Sequence, residues 1–479
     1  MSERPRDDAW WRRKSTFAAA LVLVALLPRL YVALAWASEP VWDGHYYDFG
    51  ARRIAEGFGY SEDRSEGGAL VWHAWCHYPV GYSAALALFY RVFGATRMVA
   101  GVVNASIGAA LAVITWLLAR HALTPSRARV AGLIVALHPG LILYSALVMS
   151  EPLSALLTLT GFWIAVRDPS PKRGIALGAL VLGVAALVRP QALLCAPFLA
   201  LVWPRAASPG RALLTRGFVA VLASALALLP VLPWTARNCR VMDGCALVST
   251  NAGWNLAIGA FPRATGRFET LRSSDGCREV TGQVQQDRCW LEYGAAQISE
   301  RPLHWLSLIP AKLGFTFDHE SFAVEYLHEA RPDAWPESRR VFVRDATTLF
   351  HRVLVLAAAL GCVQTAIASR RRRVRATGHG VFAQGALLAC VALLGYLAFA
   401  SGTPTFWPLV LFVAIVPWLP LPGRGDWPPA LLLPIALLGT TVVTHAVFFG
   451  EDRYHMVLTP VLCMLAAATL RKARAALSS

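Results

Sequence analysis

Apolar stretches of about 15 to 23 residues recur along this chain, the length of helix that crosses roughly 30 Å of hydrocarbon. Short polar segments separate them. We predict membrane-spanning helices near residues 16–37, 98–119, 130–149, 150–166, 173–189, 190–203, 214–235, 346–368, 381–401, 405–420, 429–449 and 455–470. The pattern predicts an all-α polytopic membrane protein with about twelve transmembrane helices, of which the first is an uncleaved N-terminal span.

Two further apolar segments do not fit a crossing. Residues 79–94 begin with proline and contain Gly81 and Arg91, which favours an interfacial or re-entrant helix. Residues 302–317 contain Lys312 and predict a second surface-lying helix, at the edge of a long external loop.

Composition supports a membrane protein. Hydrophobic residues make up 56% of the 479 residues and charged residues only 15%, which is more apolar side chain than a soluble core needs. The formal net charge of +16 is concentrated near residues 4–14, 120–129, 167–173, 205–216, 370–375 and 471–474. Positive charge marks cytoplasmic loops, so we predict that both termini are cytoplasmic.

The basic clusters are typical of topology anchors that contact anionic membrane lipids. No nucleic-acid recognition module accompanies them, so a nucleic-acid partner is not expected. The sequence contains no Walker loop and no Gly-rich strand-to-helix turn. This disfavours ATP or a nucleotide sugar as the direct substrate.

The loop after the first span reverses the sign of the charge. It holds seven acidic residues and three basic ones, which places it on the side of the membrane opposite the arginine-rich loops. A helix beginning near Asp43 would put Tyr47 and Ala51 on the face of Asp43, and Asp48 and Arg52 on another. Such a helix could lie at headgroup depth and present the Asp43 carboxylate to a cavity, as an active-site group. The alternative is that Asp43 only caps the helix.

Cysteine and histidine leave several possibilities open. Cys239, Cys245, Cys277 and Cys289 share the long loop after residue 235 and would form disulfides in an oxidising compartment, with three possible connectivities. Asp318-His319-Glu320 follows the helix that contains Lys312 and makes a divalent metal possible, although no cofactor is certain. His138, His304, His445 and His455 lie near span ends, where a lone histidine is more often a packed polar residue.

A series of short motifs resembles, in family order, the superfamily of protein O-mannosyltransferases and lipid A aminoarabinose transferases. The motifs are Asp43, Tyr47, Ala51 and Arg52 in their spacing, Gly57-Phe58-Gly59-Tyr60, Tyr78-Pro79-Val80-Gly81-Tyr82, His138-Pro139, Ser150-Glu151-Pro152, Leu187-Val188-Arg189-Pro190-Gln191, Pro233-Trp234-Thr235-Ala236-Arg237-Asn238, Gly253-Trp254-Asn255-Leu256-Ala257-Ile258-Gly259 and Arg453-Tyr454. The resemblance covers nearly the whole chain. It implies the GT-C fold, with two external loops bearing interfacial helices, and a polyprenyl-phosphate-linked sugar as donor.

The resemblance also implies roles for residues. Asp43 matches the catalytic or acceptor-orienting carboxylate, and Glu151 matches a second acidic position near it. Arg453 and Tyr454 match a pair that holds the lipid phosphate. Gly44 stands where the family often has glutamate, so Asp48 is a substitute candidate.

Chemistry adds further candidates for the substrate site. The leaving phosphate needs cations, and Arg189, Arg237 and Lys312 could supply them beside Arg453. Tyr47 and Arg52 complete the predicted set of substrate-binding residues.

We therefore divide the chain into an N-terminal transmembrane catalytic module (1–235, with external loop 38–97), a long external loop with an interfacial helix (236–345) and C-terminal transmembrane helices (346–479). The prediction is a glycosyltransferase in a bacterial inner membrane, multi-pass, with its active site facing the periplasm. Its acceptor would be a lipid, a glycan or a protein. The alternative is a polytopic transporter or lipid flippase, although such proteins tend to show internal repeats, and none is visible here.

Overall fold

A computed structural model describes residues 14–204, 209–371, 378–416 and 427–469. Its α-helices are α1 (Lys14–Ala35), α2 (Asp43–Ala55), α3 (Val80–Phe93), α4 (Arg97–Ala119), α5 (Pro125–Leu137), α6 (Pro139–Leu143), α7 (Glu151–Arg167), α8 (Pro171–Val188), α9 (Pro209–Leu228), α10 (Leu232–Val241), α11 (Ala252–Ala260), α12 (Gln283–Glu300), α13 (Pro302–Ser307), α14 (Ile309–Phe317), α15 (Phe322–Ala330), α16 (Glu337–Arg371), α17 (Gly378–Ser401), α18 (Phe406–Ile415), α19 (Pro429–Val447) and α20 (Thr459–Ala467). 3₁₀ helices cover Tyr144–Ala146, Pro190–Val202, Ser273–Asp275, Cys277–Glu279 and Asp452–Val457. Two strands, β1 (Ser61–Glu66) and β2 (Ala69–Ala74), form an antiparallel hairpin.

Six of the described helices are long and apolar enough to cross a membrane, namely α1, α4, α8, α9, α16 and α19. A seventh crossing is formed if α5 and the segment after it count as one span with a 51° bend. The bend lies at His138-Pro139, because a residue before proline avoids the helical region and the proline ring has no N–H to continue the helix. The number of about twelve spans stays a prediction.

The outer surface of the bundle is apolar. On α9, the side chains of Leu213, Leu214, Phe218 and Val221 are 70–76% exposed. A soluble monomer rarely leaves so large an apolar face in water, whereas lipid solvates it. The fold is thus mainly helical and multi-pass in character.

The loop between α2 and α3 contains the hairpin, which the all-α prediction missed. Gly67 and Gly68 connect the two strands with positive φ angles of 58° and 89°. Two-residue turns of this kind favour hairpins, and a Gly-Gly pair adopts them without a Cβ clash. The prediction of a purely helical chain is wrong for this segment.

The apolar helix after the hairpin is short. α3 has 14 residues and is therefore roughly 21 Å long, less than the hydrocarbon thickness. It packs against α2, α4 and α8. Its length agrees with the prediction that residues 79–94 do not cross.

The prediction of one surface-lying helix at 302–317 is wrong for the second half of that segment. The segment breaks into α13 and α14, and α14 packs between α18, α19 and the 3₁₀ helix Asp452–Val457. Gly314 allows this insertion, because a Cβ there would lie 3.0 Å from Pro404. Of these two helices, α13 has no buried residue and α14 has four. The prediction of a surface-lying helix therefore fits α13 and does not fit α14.

The four loop cysteines form two local disulfides, Cys239–Cys245 and Cys277–Cys289. The sequence allowed three pairings, and the structure selects the one with the shortest loops. Cys76, at the end of the first loop, is a buried free thiol.

Helix direction separates the charged ends of the bundle. α7 begins at Glu151, and α8 runs back to end beside Arg189, which is bonded to Glu151. The basic turns at 120–129 and 167–173 lie at the opposite ends of α4, α5, α7 and α8. Of the other predicted basic clusters, residues 4–13, 205–208, 372–375 and 471–474 lie outside the described residues. The three-part division of the chain stays a prediction. Helix α20, from the predicted C-terminal part, packs against α4 and α5 of the N-terminal part and against α16.

Candidate active site

Asp43 is the first residue of α2, and the backbone before it is strained. Trp42 has φ 49° and ψ −132°, and it is the sole non-glycine residue with positive φ in the described part of the chain. This region is sparsely populated and persists only where the surroundings hold it. The Trp42 ring lies 5.6 Å from the Phe322 ring and 5.8 Å from the Tyr326 ring, so α15 fixes the start of α2.

The hydrogen-bond partners of the Asp43 carboxylate lie outside its own helix. Tyr78 Oη donates to Oδ1 at 2.7 Å, and Arg453 Nη1 donates to Oδ2. No side chain caps the N-terminus of α2, so the alternative of Asp43 as a mere helix cap does not describe this structure. Burial alone would raise the pKa of Asp43, but the charge of Arg453 and the two donated hydrogen bonds outweigh it and hold that pKa below its ordinary value.

Arg453 is held at Asp43 by a segment that docks on α15. Its Nε lies 2.5 Å from Glu451 Oε2, and its guanidinium lies 5.1 Å from the ring centroids of Phe322 and Tyr454. The next residue, Asp452, accepts hydrogen bonds from the backbone N–H groups of Ser321 and Phe322, at the N-terminus of α15. The donors at this helix end suit a carboxylate.

A second ion pair lies beside the first. Arg189 Nη1 donates to Glu151 Oε1 at 2.8 Å and to Ser150 Oγ at 3.3 Å, and Tyr47 Oη lies 3.3 Å from the same Ser150 hydroxyl. Glu151 is fully buried, and its Oε2 has no hydrogen-bond partner among the described residues. Arg189 also lies 5.4 Å from the Tyr454 ring. Tyr454 thus stands between Arg189 and Arg453.

Two cavities meet at the Asp43–Arg453 pair. The first, of about 400 Å³, has polar walls that include Asp43, Tyr47, Tyr78, Arg189 and Arg453 and apolar walls that include Val188, Leu194, Phe448 and Phe449; we call it the arginine cavity. The second, of about 510 Å³, is lined by Asp43, Arg453, His319, Arg267, Glu325, Glu451 and Asp452 among others; we call it the acidic cavity. Asp43, Phe268 and Arg453 line both.

The structure brings together four of the nine predicted site residues directly. Asp43, Tyr47, Arg453 and Tyr454 line the arginine cavity, and Glu151 lies behind Arg189, to which it is bonded. Asp48, Arg52, Arg237 and Lys312 line neither the arginine cavity nor the acidic cavity.

Asp48 and Arg52 bond to each other and not to the site. Arg52 Nε donates to Asp48 Oδ2 at 2.6 Å, one helical turn earlier, and Arg52 Nη1 donates to Ala95 O at 2.9 Å. Tyr90 Oη donates to Asp48 Oδ1. The pair joins α2 to α3, which is the side of α2 opposite the cavities.

Arg237 and Lys312 satisfy backbone carbonyls. Arg237 donates to Tyr60 O at 2.6 Å and Trp75 O at 3.1 Å, and so ties the hairpin to α10. Lys312 Nζ donates to Val447 O at 3.2 Å, at the C-terminus of α19. A cation there stabilises the end of that helix.

The predicted cluster Asp318-His319-Glu320 disperses. Arg352 Nη2 donates to Asp318 Oδ1 at 2.7 Å, His319 lines the acidic cavity, and Glu320 turns into the bundle. These three neighbours therefore do not form one metal site.

Tyr78 lines the arginine cavity, but from the sequence it is recognised only as part of a motif and not as a site residue. Its position before Pro79, directly ahead of α3, gave the one available signal. Glu451 was not singled out at all. Burial raises the pKa of Glu451 above its ordinary value, although Arg453 opposes the shift.

Comparison with known proteins gives distant structural matches. No protein-family model matches the chain, and no curated protein matches its sequence. An oligosaccharyltransferase from Archaeoglobus fulgidus, crystallised with Zn and sulfate, matches with a TM-score of 0.38 and 13% identity over 94% of this chain and 53% of that one. The archaeal oligosaccharyltransferase AglB from the same organism, in complex with an inhibitory peptide and a dolichol-phosphate, matches with a TM-score of 0.37 and 14% identity over 93% of this chain and 57% of that one.

ArnT from Cupriavidus metallidurans matches with a TM-score of 0.35 and 15% identity over 95% of this chain and 78% of that one. The chain spans little more than half the length of the archaeal oligosaccharyltransferases.

Proposed function

We propose that this protein is a membrane-embedded GT-C glycosyltransferase that moves a sugar from a polyprenyl-phosphate donor to an acceptor at Asp43. The observation that carries the proposal is the position of the Asp43 carboxylate, at the boundary of two cavities of different character and bonded to Arg453. A transferase needs two substrates that meet at one reacting group. A carboxylate shared by two cavities meets that need.

The arginine cavity suits the donor. Arg189 and Arg453 present guanidinium groups to it, and guanidinium binds phosphate through two parallel hydrogen bonds. The apolar walls at Val188, Leu194 and Phe448 suit a polyprenyl chain that enters from the bilayer.

The acidic cavity suits the acceptor. Glu325, Glu451 and Asp452 line it. One oxygen of each carboxylate pairs within the protein, with Arg340, with Arg453 and with backbone N–H groups of α15 respectively, and the second oxygen can accept from a hydroxyl or an amine. We assign the acceptor to this side, whether it is a lipid, a glycan or a protein.

The chemistry is one displacement. The acceptor oxygen or nitrogen forms a bond to the anomeric carbon of the sugar, and the bond from that carbon to the phosphate oxygen breaks. The acceptor proton passes to Asp43. The lowered pKa of Asp43 means that its carboxyl group is ionised at neutral pH and can take the proton. Arg453 and Arg189 stabilise the charge that returns to the departing polyprenyl phosphate.

We place the site on the periplasmic face of a bacterial inner membrane. Two features support this orientation. The basic turns lie at the far ends of the helices from Asp43, and the loop of residues 236–345 carries both disulfides.

The transporter or flippase remains the second candidate on composition alone. Secondary transporters typically bind their substrates and coupling ions near the bilayer midplane. Here Asp43, Glu151, Arg189 and Arg453 cluster at helix ends.

The experiment that separates the two candidates uses purified protein in detergent, where transport cannot be scored. A panel of labelled polyprenyl-phosphate sugars is incubated with candidate acceptors. Release of polyprenyl phosphate together with a labelled product supports the transferase. A protein that binds a donor of the panel and releases no polyprenyl phosphate under any acceptor would refute it.

A further inference from the structure

Three buried ionisable side chains converge in the bundle, outside the two cavities. Glu320 lies between α14 and α15, His351 in the middle of α16, and His455 in the 3₁₀ helix Asp452–Val457. The side chain of Glu320 is 4% exposed, and those of His351 and His455 are 0% exposed. Polar groups at such a depth are costly unless they are paired or bind a ligand.

Backbone carbonyls fix the proton on each histidine ring. His351 Nε2 lies 3.0 Å from Phe317 O, and His455 Nδ1 lies 2.8 Å from Thr316 O. A carbonyl oxygen only accepts hydrogen bonds, so both of these nitrogens carry hydrogen. In the neutral ring, His351 Nδ1 and His455 Nε2 therefore hold lone pairs.

Both of these nitrogens lie near the same carboxylate. Glu320 Oε2 lies 3.8 Å from His351 Nδ1 and 3.3 Å from His455 Nε2. Three electron-rich atoms thus lie close together in a dry interior, which is unfavourable unless a cation lies among them.

The spacing fits a metal ion. One ligand atom from each of the three residues lies within 4.8 Å of the others. Atoms bound at about 2.0 to 2.2 Å to a tetrahedral ion lie roughly 3.3 to 3.6 Å apart, close to the two distances to the carboxylate. Histidine ligands of metals donate their other N–H to a backbone carbonyl, as both rings do here.

Other features of the pocket agree with a ligand. His351 Nδ1 and Glu320 Oε1 are buried and have no hydrogen-bond partner among the described residues. Gly140 leaves room for the carboxylate, because a Cβ there would lie 1.7 Å from Glu320 Oε1. His138 approaches Glu320 Oε2 at 3.8 Å, but its Nδ1 accepts a bond from Leu141 N, so its Nε2 carries the hydrogen and is not a ligand.

We propose that Glu320, His351 and His455 bind one divalent transition-metal ion, with Zn²⁺ as the ion that this donor set fits. Imidazole nitrogen disfavours Mg²⁺ and Ca²⁺, which take oxygen ligands. The ion would crosslink the loop before α15, helix α16 and the segment of Arg453. Its role is to position Arg453, two residues before His455, at Asp43.

The test is the metal content of the full-length protein in detergent, carrying an affinity tag without histidine. The protein is loaded with Zn²⁺ and then dialysed. About one zinc per chain is expected for one four-coordinate site. His351→Ala and Glu320→Gln each lower the bound zinc by roughly tenfold or more. His121→Ala, in the exposed turn after α4, is the matched control and keeps the zinc.

A second measurement needs no variant. Co²⁺ bound to nitrogen and oxygen ligands in place of zinc gives visible absorption bands, so titration of the unaltered protein with Co²⁺ is expected to produce them until one equivalent is bound. Zinc retained equally by His351→Ala and by the unaltered protein would overturn the proposal. So would an unaltered protein that retains no zinc and shows no Co²⁺ bands, because a proton on one ring would then be the cation. Both readouts are independent of sugar transfer.

Discussion

Arg453 donates a hydrogen bond to the carboxylate of Asp43 across a sequence separation of 410 residues. The pair joins the start of α2 to the segment before α20, and it lies at the boundary of the arginine and acidic cavities. The side chains of Asp43 and Arg453 are only 22% and 12% exposed. The bond is therefore shielded from solvent, which strengthens the attraction between the two charges.

Asp43→Asn keeps the shape of the side chain and removes its basicity. We expect normal folding and a loss of turnover of roughly 10² to 10⁴ fold, the range for removal of a general base. Asp333→Asn, at an exposed position after α15, is the control and keeps the parent rate. Turnover is measured by release of polyprenyl phosphate. A folded Asp43→Asn protein with full turnover would refute the role of Asp43.

Arg453→Ala removes the proposed phosphate contact and the partner of Asp43. We expect a higher KM for the donor, because binding in the ground state is lost. The pKa of Asp43 rises toward or above its ordinary value of 3.8, since burial raises it and Arg453 no longer opposes the rise. The rate of the variant should then fall with acid at a higher pH than that of the unaltered protein, whose Asp43 stays ionised to below its ordinary pKa.

The pH profile of kcat checks this shift. Arg52→Ala is the matched control, because Arg52 lies outside both cavities. This variant should be less stable, because Asp48 loses its ion-pair partner. The pH at which its kcat falls with acid should stay that of the unaltered protein. An unshifted acid limb in Arg453→Ala would contradict the coupling of Arg453 to Asp43.

Glu151→Gln breaks a buried ion pair and leaves Arg189 without its anion. Removal of one partner of such a pair costs roughly 3 to 5 kcal/mol of stability. The double variant Glu151→Gln with Arg189→Gln removes both charges, so we expect it to unfold at a higher temperature than Glu151→Gln alone. Thermal unfolding in detergent measures the difference. Equal melting temperatures of the single and double variants would show that the pair does not act as a unit.

Gly44→Ala should destabilise the start of α2. A Cβ at Gly44 would lie 2.2 Å from Tyr326 Oη and 3.0 Å from Val148 O. Overpacking of this kind costs roughly 1 to 3 kcal/mol. Gly217→Ala, in α9 with nothing near its added Cβ, is the control and should not lower the melting temperature. An equally stable Gly44→Ala protein would contradict the close packing of α2 against α15.

The disulfides predict a defined peptide map. Unreduced protein should yield Cys239 linked to Cys245 and Cys277 linked to Cys289. Cys76 is buried and should react with an alkylating reagent only after denaturation. Mass spectrometry that finds all four loop cysteines as free thiols would contradict both the pairing and the periplasmic side of the loop.

The sequence by itself determined features that depend on neighbouring residues. The length of an apolar stretch selects helices that can cross a bilayer, and α1, α4, α8, α16 and α19 form near their predicted positions. The 3.6-residue period of a helix likewise put Tyr47 on the face of Asp43 and Asp48 on another, and the structure has this arrangement. The hairpin also depends on neighbouring residues. The Gly67-Gly68 pair is a turn signal that could have predicted it.

Only the tertiary structure decided which cations face Asp43. Arg189, Arg237 and Lys312 were all candidate cations beside Arg453, and nothing within their own segments ranked these three. The packing of the Asp452–Val457 segment on α15 turns Arg453 to Asp43, whereas Lys312 meets the end of α19. The same packing gathers Glu320, His351 and His455 from three separate segments. Such contacts depend on how distant helices pack together, and no periodicity within one helix encodes them.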